Sequence, residues 1–276
     1  MTTVTVLGLG PMGKALTSAF VAAGHETTAW TRTPATPAPP GATRAATPAD
    51  AIAASDLAVV CVRGDAAVSA ALASADLTGR TLINLTSGTP IQARDRAAAN
   101  YLAGAIMTPA PTIGTPAALV LYSGPEPLYE KWADTLAALG GTARYLGPDT
   151  GRASAYDIAL LDMFWNSVNG IVHGLALARA EGISGAELAP FGRTMVELLP
   201  NMLTRFGEQL DAGEFSGAVS TIASAEASLE HIAQTSAEHG IDADALVAGL
   251  RLVRRAIGNG HGHEGLARLA DTLGTA

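Results

Sequence analysis

Short runs of Val, Ile, Leu and Thr recur through the first half of the chain, each followed by a stretch whose apolar positions have helical spacing. Val4–Leu7 reads as a first strand, followed by a helix to about Ala23. Gly24 ends that helix, as a glycine just past a helix does. Thr27–Thr31, Leu57–Val62 and Thr81–Leu85 read as further strands, and Ala105–Met107, Leu119–Tyr122 and Ala143–Leu146 as later ones. This alternation predicts an α/β Rossmann-type doubly wound sheet, mainly parallel. Between Thr33 and Ala49 the pattern breaks. Pro34-Ala35-Thr36-Pro37-Ala38-Pro39-Pro40-Gly41 has too many prolines for a helix or a central strand, so a mobile loop is expected there.

The second half has a different rhythm. From Gly151 to about Ala180 runs a helical pattern without proline, rich in Ala and Leu, which would span about 40 Å at 1.5 Å per residue. A helix of that length is a spine between domains. Gly170 and Gly174 on it point to close packing against another helix rather than to a break. Ser184 with Glu187 predicts a capping box before a helix carrying Met195, Leu198 and Leu199, with Pro190 and Pro200 marking starts or kinks. Further helices are expected at about Ser220–Glu238, Ala243–Ala256 and Glu264–Thr272. The organisation that follows is a nucleotide-binding domain over 1–149, a long interdomain helix over 150–180 and an all-α C-terminal domain over 181–276. The long helix implies that two copies intertwine.

Composition narrows the classes. An apolar fraction of 48% against 15% charged residues supports a sizeable core and argues against disorder. No apolar run is long enough to read as membrane-spanning, and the first residues lead straight into a strand without a signal-like stretch. The lone Cys61 cannot form an internal disulfide, which fits the cytoplasm, and it reads as a small buried strand residue. The net charge of −8 lies wholly in the second half: residues 1–148 hold nine acids and nine bases, residues 149–276 sixteen and eight. An acidic half without a basic stripe argues against nucleic acid as a partner.

Chemistry enters with Gly8-x-Gly10-x-x-Gly13, which follows the first strand directly and opens a helix. In that context Gly8, Leu9, Gly10, Pro11, Met12 and Gly13 form a dinucleotide cradle: the glycines allow a tight turn and close approach, and the helix N-terminus faces the pyrophosphate. After the second strand stands Thr31-Arg32-Thr33, with no acid to accept from a ribose 2′-hydroxyl. Arg32 can pair with a 2′-phosphate, and the two threonine hydroxyls can donate to it, so the cofactor is expected to be NADP(H). The proline-rich loop then lies near its adenosine end.

Three segments together carry a family resemblance: the glycine fingerprint, Asn84-Leu85-Thr86-Ser87-Gly88-Thr89-Pro90, and Gly151-Arg152-Ala153-Ser154-Ala155-Tyr156-Asp157-Ile158-Ala159-Leu160-Leu161. The frame resembles the β-hydroxyacid dehydrogenases, but Asp157 stands where those enzymes carry their catalytic lysine and Leu161 where they carry an asparagine. With that exchange the chain resembles the NADPH-dependent imine reductases, aspartate type, over about residues 3–274. The resemblance implies an NADPH-dependent reduction of C=N bonds, of cyclic imines first. The helical domain would be like the C-terminal domain of 6-phosphogluconate dehydrogenase, in a homodimer with its active sites between subunits. It implies Asp157 and Ser87 as catalytic residues. Cys61, Val62, Thr86 and Ser87 complete the cofactor contacts begun by the cradle and by Thr31, Arg32 and Thr33.

The charge reversal has a physical sense. An imine accepts hydride readily once protonated, and a carboxylate about 4 Å from an iminium cation stabilises it by about 1–4 kcal/mol, where a lysine would repel it. Two roles for Asp157 stay open: proton donor to the imine nitrogen, or ionised partner of a preformed iminium. Asp157, Leu161 and Trp165 recur every four residues and share one helix face. Leu161 and Trp165, with Met195, Leu198, Leu199 and Met202, are candidates for an apolar substrate pocket. His261-Gly262-His263-Glu264 has metal-ligand residue types but no accompanying cluster, so no metal is expected. The competing functions are a β-hydroxyacid-dehydrogenase-like oxidoreductase with an altered site and a non-catalytic NADPH-binding protein.

Overall fold

In the computed structural model, which describes residues 2–274, the chain divides into two units, Met1–Phe164 and Trp165–Ala276. The first unit contains one sheet of eight strands: β1 (Thr3–Leu7), β2 (Glu26–Trp30), β3 (Thr43–Arg44), β4 (Leu57–Val60), β5 (Thr81–Asn84), β6 (Tyr101–Ile106), β7 (Leu119–Ser123) and β8 (Thr142–Tyr145). Their order is β3-β2-β1-β4-β5-β6-β7-β8, and every pairing is parallel except β6 with β7. The helices between them are α1 (Pro11–Ala22), α2 (Pro48–Ala53), α3 (Asp65–Leu72), α4 (Pro90–Asp95) and α5 (Glu126–Leu136). The strands expected from the pattern are all present, with ends shifted by a few residues. β3 lies in the stretch expected as loop.

Apolar side chains explain why this sheet is central. Leu57, Ala58, Val59 and Val60 are all buried, as a strand covered on both faces requires. One face packs Val4, Val6, Leu16, Phe20, Leu102 and Trp132, and the other packs Leu7, Ile52, Val60 and Tyr101. Polar atoms inside find partners: Trp132 Nε1 donates to Thr81 Oγ1 at 2.8 Å, and Thr5 Oγ1, wholly buried, donates to the Ala51 carbonyl. The connection from β6 to β7 contains only a short turn at Ala110–Thr112, with Pro109, Pro111 and Pro116 around it. A parallel crossover normally needs a helix, so the prolines leave the antiparallel pairing as the accessible one.

The strand order reverses at β1 and β4, which creates a crevice beyond their carboxyl ends where ligands bind in open α/β sheets. α6 (Gly151–Ala180) is the long helix expected, and the boundary between the two units falls within it. The second unit continues with α7 (Gly185–Val196), α8 (Leu199–Ala212), α9 (Ile222–Glu238), α10 (Asp244–Gly258) and α11 (Leu269–Gly274). Ser184 and Glu187 form the anticipated capping box, with Glu187 N–H donating to Ser184 Oγ at 3.3 Å and Ser184 N–H to Glu187 Oε2 at 2.9 Å. Ile222, Val253 and Ala256 form a small core between α9 and α10. No helix among the described residues is long and apolar enough to cross a membrane.

Candidate active site

The loops after β1, β2, β4 and β5 leave the same edge of the sheet and carry the expected cofactor residues. Gly8 has a φ of +111°, and a Cβ there would stand 2.0 Å from the Cys61 carbonyl oxygen; on Gly13 it would stand 1.9 Å from the Gly8 carbonyl oxygen. Both positions therefore require glycine for the turn to close. At Gly10 a Cβ would meet nothing within 4 Å, so the space above the start of α1 is open. Gly10 caps α1 without a side-chain acceptor, and no acid lies in the first turn. Uncapped N–H groups and the positive helix end face that space, which fits a pyrophosphate between Leu9 and Met12.

Arg32 is exposed after β2, flanked by half-buried Thr31 and exposed Thr33, and it makes no ion pair among the described residues. The proline-rich segment that follows is less free than expected. It contains a turn closed by Thr36 N–H to the Thr33 carbonyl at 3.1 Å, and Arg44 holds it. Cys61 lies one residue beyond β4 and is only partly buried, a correction to its reading as a buried strand residue. Burial nevertheless pushes its thiol up to about 11, so the sulfur is a protonated packing group. Its carbonyl is the atom that forces glycine at position 8.

Beyond β5, a chain of hydrogen bonds fixes the segment that carries Ser87. Asn84 Nδ2 donates to Tyr101 OH at 3.3 Å, Asn84 Oδ1 accepts from Thr86 N–H at 3.1 Å, and Thr86 Oγ1 accepts from Val62 N–H at 3.1 Å. From sequence alone, Tyr101 has no assigned role and Asn84 is only the first residue of the Asn84–Pro90 segment; a polar residue closing the strand Thr81–Asn84 is the one signal for this network. Ser87 is not a cap, because Thr89 and Gln92 supply the capping box of α4. That leaves its hydroxyl for Asp157, to which it is hydrogen-bonded.

Asp157 is 2% exposed. Its Oδ2 is buried without a hydrogen-bond partner. Burial pushes the Asp157 carboxyl above its ordinary value, and the Ser87 hydroxyl draws it part of the way back. The start of α6 is anchored about two turns earlier. Asp149 accepts from Gly151 N–H at 2.9 Å and from Arg94 Nε and Nη2 at 2.9 and 2.8 Å. The Arg94 guanidinium, then the Gly151 amide, hold its carboxyl down at about 2. Ser123 Oγ, from β7, donates to the Thr150 carbonyl and accepts from Ala153 N–H, both at 3.0 Å. The helix carrying Asp157 is thus pinned to the strand next to β6 and, through Arg94 of α4, to the segment carrying Ser87.

The apolar candidates are more dispersed in burial. Leu161 is half-buried, whereas Trp165 is 58% exposed, Met195 is 66% exposed, and Leu198 and Leu199 are exposed; Met202 is half-buried. His261 is committed elsewhere: its Nδ1 lies 3.0 Å from Glu264 Oε1 and its Nε2 3.2 Å from Arg268 Nη2. A guanidinium facing Nε2 opposes a cation there, and no group of metal-ligand residues is found among the described residues.

Residues 3–147 match the NAD binding domain of 6-phosphogluconate dehydrogenase, and residues 149–275 match the NADPH-dependent reductive aminase-like C-terminal domain. An NADPH-dependent reductive aminase of Aspergillus oryzae is 31% identical over 97% of this chain and 96% of its own length. A reductive aminase of Aspergillus terreus in complex with NADPH4, cyclohexanone and allyl amine superposes with a TM-score of 0.91 at 37% identity, covering 99% of each chain. An imine reductase of Myxococcus stipitatus in complex with NADP+ gives 0.93 at 32% identity, covering 98% of this chain and 99% of its own. With the glycine cradle, the pinned helix and the buried Asp157 beside exposed Ser87 in place, these matches settle the lineage: the chain belongs to the NADPH-dependent imine reductase family, oxidoreductases acting on C=N bonds.

Proposed function

We propose that Asp157 is the proton donor in NADPH-dependent reduction of cyclic imines, with Ser87 as its partner. The observation that carries this reading is a carboxyl buried to 2% exposure, raised above its ordinary value by burial, with Oδ2 unpaired and the Ser87 hydroxyl acting on it as a donor. Bound NADPH supplies the hydride to the imine carbon. Protonated Asp157 presents the unpaired oxygen to the imine nitrogen and gives up its proton; the resulting carboxylate stabilises the iminium by about 1–4 kcal/mol at about 4 Å. Ser87 donates to the carboxylate and stabilises the ionised product. Gly8 to Gly13 hold the pyrophosphate, and Thr31, Arg32 and Thr33 the 2′-phosphate, with Cys61, Val62 and Thr86 shaping the floor between them.

The altered β-hydroxyacid dehydrogenase is disfavoured because neither Asp157 nor Leu161 can present a cation to a substrate oxygen. NADPH oxidation, followed by absorbance with a simple cyclic imine beside a β-hydroxyacid with NADP+, tests the choice. Imine-dependent oxidation alone is expected. Turnover of the hydroxyacid alone would reverse the reading, and NADPH binding without turnover of a broad imine panel would favour a non-catalytic protein.

The working form is proposed to be a cytoplasmic homodimer in which residues 181–276 supply the dimer contacts and Leu161, Trp165, Met195, Leu198, Leu199 and Met202 line substrate pockets. Two successive helices, α7 and α8, bury no side chain within the chain, and Phe191 is 73% exposed. Exposed apolar area on that scale marks an association surface. A Cβ added at Gly170 or Gly174 would meet nothing within 4 Å, so the close helix approach they permit is left to a second copy. Light scattering at micromolar concentration is expected to give twice the chain mass; the single-chain mass would remove the dimer.

A further inference from the structure

β3 is two residues long, lies at the sheet edge and pairs with β2 through Thr28↔Thr43 and Ala29↔Arg44. That register sets Arg44 beside the loop leaving β2. Its Nη1 donates to the Thr36 carbonyl, and its Nη2 donates to the carbonyls of Thr31 at 3.2 Å and Thr33 at 3.3 Å. The loop contains Pro34, Pro37, Pro39 and Pro40, which have no N–H to offer. Within Thr31–Thr36 the one backbone hydrogen bond is Thr36 N–H to the Thr33 carbonyl. One planar side chain with several donors therefore gathers three carbonyls, those of Thr31 and Thr36 without a backbone partner among the described residues and that of Thr33 shared with Thr36 N–H. Two of those carbonyls belong to the residues on either side of Arg32.

We propose that Arg44 is a positioning residue for 2′-phosphate recognition and so sets the preference for NADPH over NADH. It fixes the backbone on both sides of Arg32, so that the Arg32 guanidinium and the Thr31 and Thr33 hydroxyls are aimed before the cofactor arrives. A loop held in its binding geometry loses less ordering entropy on association, and that saving falls on the ligand that uses the loop. The inference rests on the reading of Arg32 as the partner of the 2′-phosphate. It separates from a plain field effect through charge: lysine at position 44 keeps the cation but, as a compact ammonium, cannot span three carbonyls as a planar fork does.

The test is calorimetric binding of adenosine 2′,5′-bisphosphate and of 5′-AMP to the full chain, for wild type, Arg44→Lys, Arg44→Ala and Arg32→Ala. Both Arg44 variants are expected to weaken the bisphosphate about tenfold while 5′-AMP stays within about twofold. Arg44→Lys binding the bisphosphate like wild type would reduce Arg44 to a charge and overturn the positioning role. Equal loss of both nucleotides would also overturn it, because a general disturbance of the fold does not discriminate by the 2′-phosphate. Arg32→Ala without any change in the ratio removes the Arg32 reading and this proposal with it. Loss with Arg32→Ala but not with either Arg44 variant removes this proposal alone.

Discussion

Asp157→Asn is expected to lower kcat for a cyclic imine by about 10²- to 10⁴-fold, the usual contribution of a positioned general acid, while NADPH affinity stays within about twofold. Asparagine preserves the volume and can still accept from Ser87, but it has no acidic proton and cannot become an anion. Steady-state kinetics with fluorescence titration of NADPH separates the two effects, and an unchanged kcat would remove Asp157 from the mechanism. The pH profile distinguishes its two roles. A donor must be protonated, so kcat falls as pH rises through the raised pKa of Asp157; an ionised partner gives the opposite slope, with kcat falling as pH drops. The buried carboxyl with an unpaired oxygen favours the first.

The same shift has a consequence for stability. The folded-state pKa of Asp157 lies above its unfolded value because burial disfavours the anion. Its contribution to stability is therefore fully present below the unfolded value and is lost as pH rises through the raised one. Asparagine does not ionise, so the Tm of Asp157→Asn relative to wild type is expected to climb as pH rises across that window. A catalytic acid held in a site that disfavours its charge accounts for both the low kcat and the higher Tm of one variant.

Much of this could be read from residue order, because the signals were local. Apolar runs gave the strands, Gly24 a helix end, and Ser184 with Glu187 a cap. Asp157 was picked out by its place in a frame, although a lone acid on a helix is ordinarily solvated. Its interaction with Ser87, from the segment beyond β5, joins residues seventy apart, which no periodicity encodes. β3 was illegible for a related reason. Two residues carry no period, and Thr43 and Arg44 become a strand only because β2 offers an edge in register. The direction of β7 left a fainter trace in the prolines between Met107 and Leu119, which deny that connection a crossover helix. Met195, Leu198, Leu199 and Met202, on and between α7 and α8, read as the wall of a pocket completed by a second copy, and within one chain neither helix buries a side chain.

Arg32→Ala is expected to lower kcat/KM for NADPH by about 10- to 150-fold and to leave that for NADH nearly unchanged. The size follows from hydrogen bonds to a charged group, worth about 1.5–3 kcal/mol, converted at about tenfold per 1.4 kcal/mol. Arg32 is exposed and without an ion pair among the described residues, so the substitution leaves no buried charge behind, and the loss reads directly on the cofactor. Arg32→Glu should go further, because a carboxylate repels the 2′-phosphate and can accept from the 2′-hydroxyl of NADH. Initial rates with both cofactors at saturating imine measure the ratio. If NADH already supports the same kcat/KM as NADPH in the wild type, selection does not lie at Arg32. If NADPH is preferred but Arg32→Ala preserves the preference, the 2′-phosphate is held by Thr31 and Thr33 and the arginine is a surface group.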